Sequence, residues 1–119
     1  MKERVFPLIY HKICESFNFD GCKFDIDPKK STTARIAVWK EFNILNSFTL
    51  ECSVAGPSRG KYKGYHFTIP ILQLLGHDFC NALFTFTSDS KYVNETVEEL
   101  RNMYPTINHL LNQDEGMFD

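Results

Sequence analysis

The sequence predicts a domain that combines sheet and helix, either α+β or a piece cut from a larger α/β sheet, with strands first along the chain and helices after them. Three stretches carry that expectation. Phe48, Leu50, Cys52 and Val54 alternate with Thr49, Glu51 and Ser53, the period of two of a strand. Ile36-Ala37-Val38-Trp39 is a short run apolar on both sides, which suits an interior strand covered on both faces. Leu72, Leu75, Phe79, Leu83 and Phe86 fall at helical spacing behind Thr68 as N-cap and Pro70 in the first turn.

In chain order, Phe6, Ile9, Ile13 and Phe17 follow a helical stripe around Pro7, so Val5 to Phe17 predicts a short helix or turn. Phe19, Cys22, Phe24 and Ile26 partly alternate, with Asp20-Gly21 as a turn, and predict a strand. Polar residues from Asp27 to Thr33 form a loop. Arg35 to Phe42 is the interior strand, Asn43 to Asn46 a connection, and Ser47 to Ala55 the alternating strand. Gly56 to Gly64, rich in glycine and cations, reads as an irregular surface loop. The long helix from Thr68 is followed by a second from about Lys91 to Met103, striped by Val93, Val97 and Leu100 and ended by Pro105. The tail after Leu111 reads as frayed and acidic.

No repeat or linker divides the 119 residues, a length that suits one folded unit. A hydrophobic content of 43% with 24% charged residues excludes disorder and collagen-like arrays. Eleven Phe, five Tyr and one Trp are more bulky apolar surface than a small domain easily hides, which points to a partner or to further chain that covers some of it. With a net charge of -2, no global field draws the chain to nucleic acid or membrane. Cys14, Cys22, Cys52 and Cys80 form no C-x-x-C pair, and nothing after Met1 resembles an export signal or a span. Free buried thiols in a reducing, cytosolic compartment are therefore expected over two disulfides. In that compartment the sequon Asn94-Glu95-Thr96 carries no sugar.

Glu51 sits in an otherwise apolar strand, on the face shared with Thr49 and Ser53. Periodicity allows both a solvated carboxylate on a wet sheet face and a general base held on a rigid strand. Catalytic zinc takes three protein ligands, and no such cluster is visible: His11, His66, His77 and His109 are isolated, with no H-x-x-E or H-E-x-x-H. Each reads as a surface or internally satisfied histidine. No G-x-S-x-G or recognisable cysteine-nucleophile signature occurs either. Arg59, Lys61 and Lys63 lie between glycines but lack the lysine followed by Ser or Thr of a phosphate loop. Lys29, Lys30 and Arg35 form a second basic group. Two basic groups near one site would suit an acidic polymer or peptide, whereas the alternative is ordinary solvated loops.

Arg-Val-Phe-Pro-Leu from Arg4, Cys22-Lys23-Phe24, Asn46 to Ser53, Gly60 to Phe67 and Gly76 to Leu83 together resemble the cytosolic carboxypeptidases, M14-type zinc enzymes that trim glutamates from tubulin and similar proteins. The resemblance runs in order from about Arg4 to Phe86. It implies an α/β fold: the C-terminal part of a zinc-carboxypeptidase-like mixed sheet with two C-terminal helices, incomplete as a domain. On that reading residues 1–119 are the C-terminal portion of one catalytic domain, with 87–119 a weakly matched helical tail. The resemblance maps the family's general acid/base glutamate onto Glu51. It assigns the zinc ligands and the carboxylate-holding Asn-Arg pair to chain that precedes the matched segment. The family's glycine-containing loop is altered here to Ser31-Thr32-Thr33-Ala34-Arg35, which keeps the arginine and loses the glycines.

Two functional expectations follow. In the first, the chain contributes Glu51, with Arg35, Lys30, Arg59 and Lys61 as candidate substrate contacts, to a zinc-dependent deglutamylase acting on glutamate-rich tails such as tubulin. Its partner is the N-terminal part of the catalytic domain, its setting the cytoplasm with microtubule or cilium association, and by itself it binds no zinc and is inactive. In the second, it is a non-catalytic remnant, an interaction module for a cytoskeletal partner.

Overall fold

A computed structural model describes residues 1–105 of the chain, so the tail beyond Leu111 and His109 lie outside the described residues. Four helices dominate: α1 (Val5–Ile13), α2 (Ala34–Phe42), α3 (Ile69–Ser88) and α4 (Ser90–Met103). Short 3-10 turns occupy Lys2–Arg4, Phe19–Gly21 and Pro28–Lys30.

The core is a three-helix cluster in which α1 packs against both α3 and α4. Helix α1 is apolar almost all round, and Val5, Phe6, Leu8, Ile9 and Tyr10 are all buried. Such a helix is stable only when covered on several sides. Phe6 meets Phe79 and Phe86 edge to face, each with ring centroids 5.6 Å apart, and Tyr10 meets Phe79 at 5.5 Å. The Tyr10 hydroxyl donates to the Leu75 carbonyl at 2.9 Å, so the one polar atom of this ring is satisfied inside the core. Helices α3 and α4 form a hairpin with Asp89 alone between them, its carboxylate accepting from the Tyr92 amide at 3.0 Å as the N-cap of α4. Leu100 and Thr96 face inward from α4, and the Thr96 hydroxyl donates back to the Tyr92 carbonyl at 2.8 Å.

The expected mixed sheet does not form: the described residues contain no strand, and the α/β reading is corrected to an all-helical one. The interior strand predicted over Arg35 to Phe42 is α2. A nine-residue run holding Ala, Arg, Lys and Glu among its apolar residues satisfies its own backbone as a helix, which a lone strand cannot do. Asn43, at φ 52°, ends it in the left-handed conformation of a helix C-cap. The strand predicted over Ser47 to Ala55 has the right alternation but no neighbour. Among the described residues, the backbone from residue 44 to 59 makes no backbone–backbone hydrogen bond. Sheet stability comes from cross-strand pairs, so alternation without a pairing partner leaves irregular chain. Phe19 to Ile26 is likewise a 3-10 turn followed by irregular chain. Helices α1, α3 and α4 stand where the 3.6-residue spacing put them, α1 ending at Ile13 rather than Phe17.

The radius of gyration is 16.1 Å over extents of 52 × 36 × 26 Å, against about 13 Å for a globular chain of this size. The excess reflects a packed helical core with a long, loosely packed excursion between α1 and α3.

Candidate functional site

Glu51 lies in the irregular segment between α2 and α3, exposed, with no hydrogen bond or ion pair among the described residues. Its neighbours do not form a buried face: Leu50 is 52%, Val54 97% and Phe48 41% exposed, the last with its ring edge-on to Phe24 at 6.5 Å between centroids. The segment therefore presents a carboxylate free to bond with water or another molecule, but without a rigid frame around it. Arg35 is half-buried in the first turn of α2, where its carbonyl accepts from the Ser47 hydroxyl at 2.6 Å, tying the helix to the start of the Glu51 segment. Lys30 is exposed at the end of the turn that Asp27 caps through the Lys29 amide, at 2.9 Å. No hydrogen bond, ion pair or ring contact joins Glu51 to Arg35, Lys30, Arg59 or Lys61.

The basic loop is where polar groups do converge. Gly56, Gly60 and Gly64 all have positive φ, and Gly60 comes so close to α1 that a Cβ there would lie 2.7 Å from the Glu15 carbonyl oxygen. This approach delivers Arg59 to the end of α1. Its Nη1 donates to the carbonyls of His11 at 3.1 Å, Cys14 at 3.2 Å and Phe17 at 2.7 Å. Carbonyls at a helix C-terminus lack intrahelical partners and carry the negative end of the helix dipole, so a guanidinium is well matched to them. Beside it Asn18 donates to the Ser58 hydroxyl at 3.3 Å, and Lys61 pairs loosely with Glu15 at 3.7 Å. A hydrogen bond with Tyr62, with help from Glu15, raises the Lys61 pKa above the usual lysine value. Arg59 and Lys61 are thus brought together, Arg59 facing protein carbonyls and Lys61 facing solvent.

His11, which the sequence presents only as an isolated histidine, completes this junction. His11 Nδ1 is 3.1 Å from the Phe19 amide, which donates to it, and 3.2 Å from Arg59 Nη1. Two donors aimed at one nitrogen assign it as the acceptor, with the proton on Nε2. Burial first, and then Arg59, lower the His11 pKa below the ordinary histidine value. His11 and Arg59 stand 48 positions apart, so no spacing rule links them.

A cavity of about 370 Å³ opens between the end of α1 and the first half of α3, lined by Ile13, Cys14, Ser16, Leu74, Leu75 and Asp78 among others. The Cys14 thiol there is buried, and desolvation raises its pKa, which makes it a poor nucleophile. All four cysteines are free thiols, with Cys14 buried and Cys22 half-buried, while Cys52 and Cys80 are exposed, contrary to the expectation of burial. Asn94 is exposed on α4 but Thr96 of the same sequon is fully buried. No helix among the described residues is long and apolar enough to cross a membrane.

Zinc, the metal that the sequence resemblance implies, does not fit this set of donors: the described residues contain no group of three or more His, Cys, Asp or Glu placed to hold a metal ion.

Comparison with curated proteins returns cytosolic carboxypeptidases. The chain is 36% identical over 110 residues to cytosolic carboxypeptidase 3 of Bos taurus, covering 91% of this chain and 11% of that protein. To cytosolic carboxypeptidase 2 of Xenopus tropicalis it is 37% identical over 105 residues, 87% of this chain and 11% of the relative. To cytosolic carboxypeptidase 1 of Danio rerio it is 29% identical over 119 residues, 98% of this chain and 9% of the relative. No family model matches the sequence. No solved structure matches it either. The chain spans about a tenth of the length of these relatives, and over nearly all of its own length it is a homologue of one segment of the cytosolic carboxypeptidases.

Proposed function

We propose that this chain supplies the general acid/base of a cytoplasmic metallocarboxypeptidase that removes glutamates from glutamate-rich protein tails such as those of tubulin. Glu51 carries that role: it accepts a proton from the attacking water and returns it to the leaving amine, the two halves of peptide hydrolysis that one carboxylate performs in turn. The observation that supports the reading is the identity to carboxypeptidases over about nine-tenths of the chain, together with an accessible Glu51 carboxylate that no protein group occupies. Zinc ligands and the groups that hold the substrate carboxylate come, on this reading, from polypeptide other than the described residues, the N-terminal part of such a catalytic domain. Arg35, Lys30 and Lys61 are the cations left facing outward or partly so, and they are the residues to bear on an acidic substrate. Arg59 would act there through the loop it anchors.

Transfer of this sequence into a cytosolic carboxypeptidase 2, in place of the segment it matches, tests the proposal with glutamate release from a polyglutamate peptide as readout. The chimera is expected to retain activity and to lose it by about 10²- to 10⁴-fold on Glu51→Gln, the range for removing a general acid/base. Activity indifferent to that substitution would refute the role of Glu51.

A second reading, a non-catalytic module that binds a cytoskeletal protein, is favoured by the exposure of Phe42, Val54 and Phe84. A chimera that folds yet releases no glutamate with Glu51 intact would favour it over the first.

A further inference from the structure

We infer that His11 and Arg59 form a proton-operated latch that fastens the loop of residues 56–64 to the end of α1 and releases it when the imidazole is protonated. The geometry contains both positions of the latch. With Nδ1 unprotonated, the ring accepts from the Phe19 amide at 3.1 Å, and the Arg59 guanidinium sits at 3.2 Å from the same nitrogen while donating to the Phe17 carbonyl at 2.7 Å. That carbonyl oxygen is also 3.1 Å from His11 Nδ1. A proton on Nδ1 would be donated to it, ending the bond from Phe19 and setting two cations side by side on one acceptor.

What loosens Arg59 is therefore the repulsion between the imidazolium and the guanidinium, held in contact at 3.2 Å. Arg59 has nowhere equivalent to go, because its other acceptors, the carbonyls of His11 and Cys14, lie in the same cluster. Besides the burial of Pro57 and the close approach of Gly60 to Glu15, the polar ties that hold the loop without Arg59 are slight: the Asn18 to Ser58 bond at 3.3 Å and the exposed Lys61–Glu15 pair at 3.7 Å.

The charged groups that bear on the ring are Arg59 from the loop and Asp20 from the turn at Phe19–Gly21. Arg59 is in contact and disfavours the imidazolium, whereas Asp20 favours it from farther away. On α1 itself, Lys12 is directed to Glu99 of α4, and Glu15 to Lys61. Burial adds to Arg59, so the ring's pKa lies below 6.5 in the folded chain. The sign follows from linkage: with the folded pKa below the unfolded one, the junction's contribution is complete above pH 6.5. It is lost as pH falls from there through the folded value. A cytoplasm near neutrality keeps the latch shut, and acidification opens it.

Hydrogen exchange on the full chain tests the latch, with rates corrected for their intrinsic pH dependence. Between pH 7.5 and 5.0 the Phe19 amide and the Lys63 amide, which donates to the Gly60 carbonyl inside the loop, are expected to lose at least about tenfold in protection, while amides of the α1 core such as Ile9 keep theirs. In His11→Asn, whose side-chain oxygen accepts but does not titrate, the loss should vanish. The second measurement is the imidazole titration by NMR: Arg59→Gln should move the His11 midpoint upward, with the Phe19 amide still protected at pH 7.5. Protection that does not change with pH in the wild type, an equal loss in His11→Asn, or a His11 midpoint unmoved by Arg59→Gln would each overturn the inference.

Discussion

Two regions of this chain, both carrying large apolar side chains, meet different fates. In the cluster of α1, α3 and α4, Ile9 and Leu100 retain 0% and 1% of their exposure, and the Tyr10 and Thr96 hydroxyls that enter the core each have a partner close by. Between α1 and α3, Phe42 and Val54 remain 72% and 97% exposed, and among the described residues the backbone from 44 to 59 makes no hydrogen bond to other backbone. The difference is partnership rather than composition. Helices close their backbone bonds internally and need only a face to bury, which α1 provides for the other two. An alternating segment needs a second strand before its apolar face is worth anything, and none is present among the described residues. Helix α3 shows the same tension on one element: its inner face packs, whereas Ile69 and Phe84 on other faces are 72% exposed.

The widest gap should separate Leu100→Ala from Val54→Ala. Leu100 fills space in the core, so truncation is expected to cost about 2–5 kcal/mol of stability, whereas Val54 has no neighbours to lose and should stay within about 0.5 kcal/mol. Urea unfolding at neutral pH measures both. Equal effects would mean that residues 44–59 pack in solution, and the contrast between the regions would fall.

Glycine sharpens the comparison at a smaller scale, because the same substitution should change sign between two positions. Gly60→Ala places a methyl group 2.7 Å from the Glu15 carbonyl at a φ of +79°, and is expected to cost more than about 1 kcal/mol. Gly76→Ala, in the middle of α3 with open space around it, should stabilise by about 0.5–1 kcal/mol through helix propensity. Thermal unfolding of the two variants checks the signs. A neutral Gly60→Ala would mean that the loop does not sit against α1.

These residues also show what was legible in advance. The stripes of Leu72 to Phe86 and of Val93, Val97 and Leu100 predicted α3 and α4 because a helix writes its environment into local spacing. Ile36 to Trp39 misled because a short apolar run is common to buried strands and helices, and the Ala, Arg, Lys and Glu around it decided for α2. Ser47 to Ala55 misled in another way: its period of two reports which residues alternate, while strand formation depends on a partner that no local pattern reveals. At the site, Glu51, Arg35, Lys30 and Lys61 were visible as residue types. The junction of Arg59 with His11 was not, since three carbonyl acceptors and a contact across 48 positions leave no signature in composition or spacing.

The smallest expected effect lies inside the well-packed region and shows how little of its strength is ionic. Lys12 reaches from α1 to α4, where its ammonium meets Glu99 at 2.5 Å and the Thr96 hydroxyl at 3.2 Å and lies 4.4 Å from the Tyr92 ring centre. Glu99 is half-exposed, so water screens the pair. Thr96 is fully buried, but its hydroxyl already donates to the Tyr92 carbonyl, and removal of Lys12 leaves no buried donor without an acceptor. Lys12→Met keeps the apolar stem against α4 and should therefore cost only about 0.7–1.5 kcal/mol, the sum of a screened ion pair and a cation–π contact. Glu99→Gln isolates the ionic part, expected at about 0.2–0.5 kcal/mol and shrinking further in 0.5 M salt, a concentration that cuts the screening length to about 4 Å. A cost for Lys12→Met near that of Leu100→Ala would show that α1 and α4 are held by charge and not by their apolar faces, which would reverse the account of why this region packs and the other does not.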